Sequence, residues 1–355
     1  MMNREDGIAL AGSVSRRNFL GAASAGALLL GVSGAVAARA GAQAGGTAHA
    51  ATVVADPTAI PAPIRRRHSV HHDITLEAKE VRAKLADGTE FGFMTWNGQI
   101  PGPMIRVRVG DTVTLNVRSS AGNMRPHCVD VHAVYGSGGG AMATIVPPGG
   151  KASMFFKCLY PGAFIYHCAV PNLDEHISRG MFGMMLVEPE EGLAPVEREF
   201  YIGQHELYTR EPFGTAGLLH FDYAAMVHEQ PNFVLFNGMV QGLTAAGVGA
   251  LRAKVGETVR VFMVNGGPNL SSSFHPIGNV WSRCWPQGAL ANPPVAYIQT
   301  QPVPPGSCFI GEMRLPLAET VKLVDHALSR VARQGLLAEI DVEGAADPGL
   351  FHKMA

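Results

Sequence analysis

Two histidines, a cysteine and a methionine lie close together in the segment YHCAVPNLDEHISRGM, which covers residues 166–181. Cys168, His176 and Met181 follow the order Cys-x7-His-x4-Met, and His127 lies upstream. One thiolate, two imidazoles and one thioether are the ligands of blue-copper sites, where Cys and His form a trigonal plane and Met binds weakly along the axis. We therefore predict that these four residues hold a type 1 copper, which carries single electrons.

His167 precedes Cys168 directly, so on a strand its side chain points to the opposite face and serves a second metal. His132 is its natural partner, because it follows His127 by five residues and an odd step along a strand changes face. A site made of histidines alone suits a copper that keeps an open position for substrate. The two metals should lie on the order of 10 Å apart, given the spacing of adjacent Cα atoms and the reach of each side chain.

The chain alternates short strands with turn signals, and its 42 glycines and 24 prolines suit such a pattern. Residues 96–117 are echoed by 236–264, and 147–168 are echoed by 304–327. A length of 355 residues leaves room for two ordinary domains. We therefore predict an all-β protein of two tandem, related domains. Their predicted bounds are 73–190 and 198–345, followed by a C-terminal tail over 346–355.

The repeat also indicates a third ligand for the second metal. It aligns His127 with His275 and His167 with His326, whereas Ala327 stands where the first copy has its cysteine. The second copy thus keeps histidines but has no thiolate for a type 1 site of its own. We predict that His326 completes the second site. The repeat leaves open whether this histidine reaches its own first domain or that of a neighbouring chain.

The N-terminal segment has the features of an export signal. Arg16 and Arg17 precede a weakly apolar stretch of small residues, and A-x-A cleavage motifs follow. We predict a twin-arginine signal peptide over 1–44, a Pro-containing linker over 45–72 and a periplasmic location. The alternative, a membrane anchor, is disfavoured because Ser and Arg interrupt the stretch. No later stretch reaches the roughly 18 apolar residues of a membrane helix, so we expect no membrane span in the mature protein.

A histidine cluster and the five cysteines are two further groups of potential metal ligands or cross-links. The cluster His68, His71 and His72 falls outside any strand pattern, and we interpret it as part of a solvated linker. The five cysteines are too few and uneven for a disulfide framework, although a bridge between Cys284 and Cys308 stays open. A net charge of −1 gives no reason to expect nucleic acid as a partner.

Several short segments together resemble the copper-containing nitrite reductases, a family of two-domain cupredoxin enzymes. The resemblance covers about residues 75–345 and implies two tandem cupredoxin-like Greek-key β-sandwich domains. Since His176 is eight positions after Cys168, the chain is most similar to the subgroup with the shorter loop between these ligands. The segments are HCVDVHAVYGSGGGA, FIYHCAVPNLDEHISRGMFG, EQPNFVLFNG, SSFHPIG and KLVDHALSR.

The resemblance implies a role for each candidate residue. Asp130 and His275 flank the substrate, nitrite, and the enzyme is a homotrimer whose type 2 copper lies between subunits. His326 would then enter the site of the neighbouring subunit. One copper of each type is expected per subunit: His127, Cys168, His176 and Met181 hold the type 1 ion, and His132, His167 and His326 hold the type 2 ion.

The implied reaction is the dissimilatory reduction of nitrite to nitric oxide, which takes one electron and two protons and releases water. A small redox protein, a cytochrome c or a cupredoxin, delivers the electron at the type 1 copper, and the Cys168–His167 pair conducts it to the type 2 copper. Asp130 can reach the substrate oxygen because it lies between ligand histidines, and His275 can relay a proton near neutral pH. Three departures from the family pattern are Cys128 in place of Asn, Val131 in place of Phe and Tyr135 in place of Thr. We expect Cys128 to affect the copper potential and Tyr135 to narrow the substrate entrance.

Two other functions were considered. A two-domain multicopper oxidase requires a trinuclear cluster built from several H-x-H pairs and an H-C-H motif, but the sequence contains no H-x-H and reads HCA at Cys168. A non-enzymatic cupredoxin electron carrier needs only the type 1 ligands, which would leave His132, His167 and His326 without a role.

Overall fold

The structure is a computed structural model that describes residues 52–354. The predicted signal peptide over 1–44 and the first residues of the predicted linker lie outside this range. Within it the chain forms four β-sheets joined by loops and short helices, which confirms the predicted all-β class. None of the helices between residues 52 and 354 is long and apolar enough to cross a membrane.

The part of the chain from residue 71 to 188, called the first half, holds eight strands and the short helix α1 (Leu173–Ser178). A 3-10 helix at Ser137–Ala143 follows the fifth strand. The strands are β1 (His71–Ala86), β2 (Thr89–Trp96), β3 (Ile105–Arg108), β4 (Thr112–Ser119), β5 (Asp130–Val131), β6 (Lys151–Lys157), β7 (Gly162–His167) and β8 (Phe182–Glu188).

The part from residue 198 to 343, called the second half, holds the helices α2 (Tyr223–Val227) and α3 (Ser329–Gln334) and a 3-10 helix at Pro286–Gly288. Its strands are β9 (Arg198–Leu207), β10 (Gly217–Leu219), β11 (Phe233–Phe236), β12 (Leu251–Lys254), β13 (Thr258–Gly267), β14 (Ser272–Ile277), β15 (Arg283–Trp285), β16 (Gln301–Val303), β17 (Ser307–Arg314), β18 (Thr320–Asp325) and β19 (Ala338–Glu343).

Each half consists mainly of two sheets. The first half has the strand orders β10-β2-β1-β4-β6 and β3-β8-β7-β5, and the second half has β11-β9-β13-β17-β15 and β12-β19-β18-β14-β16. Side-chain alternation explains the outer strands: in β6, Met154 and Phe156 are buried while the lysines at both ends are exposed. Strand β8 is buried along its whole length, as expected for a strand between two neighbours and two layers.

The two halves are joined by an apolar core and by a shared sheet. Phe91 and Phe93 of the first half belong to the same buried cluster as Tyr201 and Phe262 of the second half. Strand β10 leaves the second half and adds to the edge of β2, where Gly217–Leu219 runs parallel to Thr89–Phe91. The candidate metal ligands of both halves are therefore carried on one continuous framework.

Part of the segment predicted as a linker packs against this framework. Val53 and Ala55 are buried, and Ala55 donates its backbone N–H to the Ile100 carbonyl at 3.0 Å. Strand β1 begins at His71, so the prediction that the histidine cluster falls outside the strands is wrong for His71 and His72. His72 is the least exposed histidine of that cluster, and its Nε2 lies 3.0 Å from the carboxylate of Asp111. Both contacts join residues that are distant in the sequence, so a local sequence pattern does not predict them.

An ion-pair network crosses the junction of the halves. The side chain of Arg106 is fully buried, pairs with the fully buried Glu188, and donates to Glu199 of the second half at 2.6 Å. Glu199 in turn accepts from Arg260 at 2.8 Å. Arg106, Glu188 and Arg260 are buried and Glu199 is only 13% exposed, so removing one partner leaves an uncompensated charge.

We expect Arg106→Met to lower the free energy of unfolding by about 3–5 kcal/mol, the usual cost of breaking a buried ion pair from one side. Denaturant unfolding of the copper-free protein measures this change. The control is Arg82→Met, since the Arg82 side chain is 61% exposed and pairs with Glu90 at the surface. That change should cost less than about 1 kcal/mol, and equal losses in the two variants would contradict the importance of the network.

Candidate metal centres

Three buried donor atoms converge at the end of β7. The Cys168 sulfur lies 3.5 Å from Nδ1 of His176 and 3.8 Å from Nδ1 of His127. All three donor atoms lie within 4.8 Å of one another, and all three residues are buried. A thiol between two imidazole nitrogens, closed off from solvent, is a donor set suited to a soft or borderline transition metal such as copper.

Three neighbouring segments position Cys168, His176 and Met181. Cys168 directly follows β7, His176 lies on α1, and the fully buried Met181 directly precedes β8. The Met181 carbonyl accepts the N–H of Cys168 at 3.1 Å, and the Met181 N–H donates to the carbonyl of His176 at 3.0 Å. These bonds hold Met181 beside the cysteine. The structure places the short helix α1 between the two strands β7 and β8.

Helix α1 is fixed by a buried carboxylate that the sequence analysis did not identify. Glu175 is 1% exposed, accepts from Arg179 at 2.7 Å and pairs with Arg125 and the hydroxyl of Tyr223. Arg125 precedes the candidate ligand His127 by two positions, so Glu175 links the two histidine-bearing segments. No local pattern signals this role, because a glutamate in a first helical turn is ordinary.

The electrostatics of the first cluster favour neutral histidines. Burial lowers the pKa of His176 to about 4 and lowers that of His127, where Glu80 opposes the shift. Burial and a hydrogen bond with Cys128 raise the pKa of the Cys168 thiol well above its usual range. The imidazoles therefore have their lone pairs available at neutral pH, whereas the thiol must release its proton when a cation binds.

A second cluster lies on the other side of β7. Nε2 of His167 is 3.0 Å from Nε2 of His132 and 4.0 Å from a carboxylate oxygen of Asp130. Nδ1 of His167 lies 3.0 Å from the carbonyl of Cys168, so Nδ1 carries the proton and Nε2 presents a lone pair to the cluster. His132 is exposed and His167 is largely buried, so the cluster faces the surface.

Adjacent residues thus contribute to different clusters. Cys168 belongs to the first cluster and His167 to the second, as expected for neighbours at a strand end. His127 and His132 are likewise separated, although the strand between them is only two residues long. His127 instead forms an isolated bridge with Val146, so the separation does not come from one continuous strand.

The carboxylate of Asp130 lies against the glycine run that follows it. A side chain at Gly139 would place its Cβ 1.8 Å from an Asp130 carboxylate oxygen, and Gly139 has a positive φ of 57°. Both observations require glycine at this position. The run of glycines in the segment GSGGGA was visible in the sequence, but its function of making space for Asp130 depends on the three-dimensional fold.

His275 and His326 lie together in the second half, on neighbouring strands or their ends. Their ring centroids are 5.2 Å apart, and Nδ1 of His275 lies 2.6 Å from the carbonyl of Gln299. His326 is exposed and His275 partly exposed. Among residues 52–354 the close groups of three donors include neither of them. Within one chain, therefore, these histidines do not join His132 and His167.

The other residues named in the sequence analysis include three buried cysteines and one exposed tyrosine. Cys128 is buried and shares a hydrogen bond with Cys168, whereas Tyr135 is 76% exposed and packs edge-on against Tyr160. Cys284 and Cys308 are both buried free thiols, so the bridge that the sequence left open is not formed.

Comparisons with known proteins show which proteins the chain is similar to. A multicopper oxidase family model matches residues 77–192. The chain is 43% identical over 293 residues to a copper-containing nitrite reductase of Neisseria gonorrhoeae, covering 82% of this chain and 74% of that protein. A solved copper nitrite reductase of Nitrosomonas europaea superposes with a TM-score of 0.70 at 30% identity, covering 78% of this chain and 96% of that one. A solved multicopper oxidase superposes with a TM-score of 0.66 at 24% identity, covering 82% and 98%, which shows the shared fold.

Proposed function

Since this chain belongs to the copper-containing nitrite reductases, enzymes with two cupredoxin-like domains, we propose that it divides the reduction of nitrite between the two clusters. Nitrite reduction follows from the family, and the assignment of one type 1 and one type 2 copper per subunit is our proposal. The observation that carries it is the pair His167 and Cys168, two consecutive residues that serve separate groups of donors.

The clusters differ in chemistry. When bound, copper supplies one-electron chemistry at the cysteine-containing cluster and an open position for nitrite at the histidine-only cluster. The residues of the first cluster are buried, which excludes substrate, and those of the second reach the surface. The Cys168–His167 backbone supplies a continuous covalent path between them for one electron.

We propose that protons come from Asp130, which lies in the second cluster, and from His275, which would reach that cluster together with His326 of the neighbouring subunit. Conversion of nitrite and one electron to nitric oxide and water consumes two protons. Asp130 places a carboxylate oxygen 4.0 Å from Nε2 of His167, within reach of a bound oxyanion. His275 donates from Nδ1 to the Gln299 carbonyl at 2.6 Å, which leaves its Nε2 free to exchange a proton with substrate.

We propose a homotrimer in which His326 of each subunit completes the second cluster of its neighbour. Within one chain, His326 does not lie close to His132 and His167. A third imidazole for the second cluster would therefore come from another subunit. Exposed large apolar side chains follow His132 in the chain and occur in the segment that carries His275 and His326, as expected for surfaces that meet in an assembly. They are Tyr135, Met142 and Ile145 in the first half, and Ile277, Val280, Val295, Tyr297 and Leu328 in the second half.

We further propose that the enzyme works in the periplasm, after twin-arginine export, and serves denitrification. The basis is the Arg16–Arg17 pattern, which the described residues do not include. A cytochrome c or a cupredoxin is the proposed electron donor. It would approach His176, whose pocket is lined by Arg125, Pro126 and Tyr223 at the surface.

Copper content combined with product detection tests the function. A nitrite reductase of this design binds two coppers per chain and releases nitric oxide only when nitrite is present. An electron carrier would bind one copper, and an oxygen-reducing multicopper oxidase would bind four. Two coppers without nitrite-dependent nitric oxide would contradict the proposal.

Asp130→Asn and His275→Ala should each lower nitrite turnover by about 10²-fold or more, because each removes a proton donor but no metal ligand. Both coppers should stay bound, and the dependence of turnover on pH should flatten. Steady-state assays across pH with copper analysis measure this. His228→Ala is the control, since that exposed histidine also donates from Nδ1 to a carbonyl at 2.7 Å. Normal turnover in both test variants would remove Asp130 and His275 from the mechanism.

A further inference from the structure

Glu80 on β1 forms hydrogen bonds with the loop that carries His127. Its Oε1 atom accepts from the backbone N–H groups of Met124 and Arg125 at 3.1 and 3.0 Å and lies 3.2 Å from Nε2 of His127. Its own backbone N–H donates to the side chain of Asn123 at 2.8 Å. The residue is 47 positions from His127 in sequence, so only the fold brings the carboxylate to the ring.

The contact fixes the proton on the His127 ring. Nε2 faces an oxygen that can only accept, so Nε2 carries the proton and Nδ1 presents its lone pair to Cys168. His176 also turns Nδ1 toward Cys168, but no hydrogen bond from its Nε2 is found within residues 52–354. The two histidines of the first cluster therefore differ, because only His127 has a carboxylate next to the ring nitrogen that faces away from Cys168.

We infer that Glu80 is a positioning residue that lowers the reduction potential of the first cluster, an inference that rests on the proposed type 1 role of His127. A carboxylate behind a ligand imidazole makes the ring a stronger electron donor and orients it. It also adds one negative charge near the metal, at a side chain only 18% exposed and thus weakly screened. Both effects stabilise the oxidised ion more than the reduced ion.

Glu80→Gln tests the inference, because the amide oxygen can still accept while the charge is lost. At a fixed ambient potential, the ratio of reduced to oxidised copper should rise about tenfold, which equals about 59 mV for one electron. Redox titration of the visible band measures this ratio without any turnover. Glu77→Gln is the matched control: it lies on the same strand, is 38% exposed and bonds to Ser120 instead of a ligand. It should change the ratio less than twofold.

Glu80→Asp separates charge from support of the loop. Aspartate keeps the charge but is shorter, so its copper ratio should stay closer to that of the unmodified protein than the ratio of Glu80→Gln. If Glu80 only braced the loop, the two variants would shift alike. An unchanged ratio in Glu80→Gln, or equal shifts in Glu80→Gln and Glu80→Asp, would overturn the inference. Absence of a visible copper band from the unmodified protein would instead overturn the proposed type 1 site.

Discussion

Replacing Cys168 by alanine should abolish the intense visible colour and lower donor-driven turnover by more than about 10²-fold, beyond the usual cost of losing an outer partner of a metal ligand. The thiolate is the only sulfur anion among the three converging donors, so the colour and the electron entry both depend on it. Copper at the second cluster should remain, because its ligands are histidines. Visible spectroscopy with copper analysis and a donor-coupled nitrite assay measures both effects.

Cys158→Ala is the control for that experiment. Cys158 is also a buried thiol, and burial raises its pKa to about 12, but it lies outside both clusters. Its variant should keep the colour and the turnover. Persistence of an intense band in Cys168→Ala would show that the first cluster is not a type 1 site.

His326→Ala and His132→Ala should each lose the second copper, keep the colour and lower nitrite turnover by more than about 10²-fold. Two imidazoles alone hold copper weakly, and the structure shows that His326 does not join His132 within its own chain. Mixed trimers of the two inactive variants should regain activity, because some interfaces then combine an intact His132 with an intact His326. Co-expression with two tags, isolation of the mixed species and a nitrite assay measure the recovery.

His220→Ala combined with His132→Ala provides the comparison. His220 is an exposed histidine that pairs with Glu211 at 2.8 Å, so mixing these variants only dilutes defective sites with intact ones by a predictable fraction. If each site were built within one chain, mixtures of His326→Ala and His132→Ala would contain no intact site. They would then be as inactive as either parent.

The sequence predicts which candidate ligands belong together better than it predicts the residues that position those ligands. Cys168 and His167 could be assigned to different metals because chain neighbours on a strand diverge, and the structure separates them accordingly. Glu80 could not be found in this way, since its link to His127 spans 47 residues and depends on how a loop meets β1. Short-range periodicity reports which face a side chain takes and not which distant group lies there.

The same distinction explains the differences in local structure. The sequence does not reveal helix α1, because six residues are too few to show a helical period. The packed part of the predicted linker was missed because Val53 and Ala55 gain partners only after both halves have folded. His326 was placed by repeat alignment, which gives a fold position but no neighbouring subunit.

Strand β10 has a consequence for the modularity of the chain. Because it crosses from the second half to pair with β2, the unit that carries the first cluster cannot be cut out cleanly at the boundary between halves. A fragment ending near residue 190 would expose the β2 edge and the apolar side chains of Phe91 and Phe93, a surface that invites aggregation. A chimera that exchanges the first half must therefore also include residues 217–219. The unit that can be exchanged is thus larger than the structural repeat.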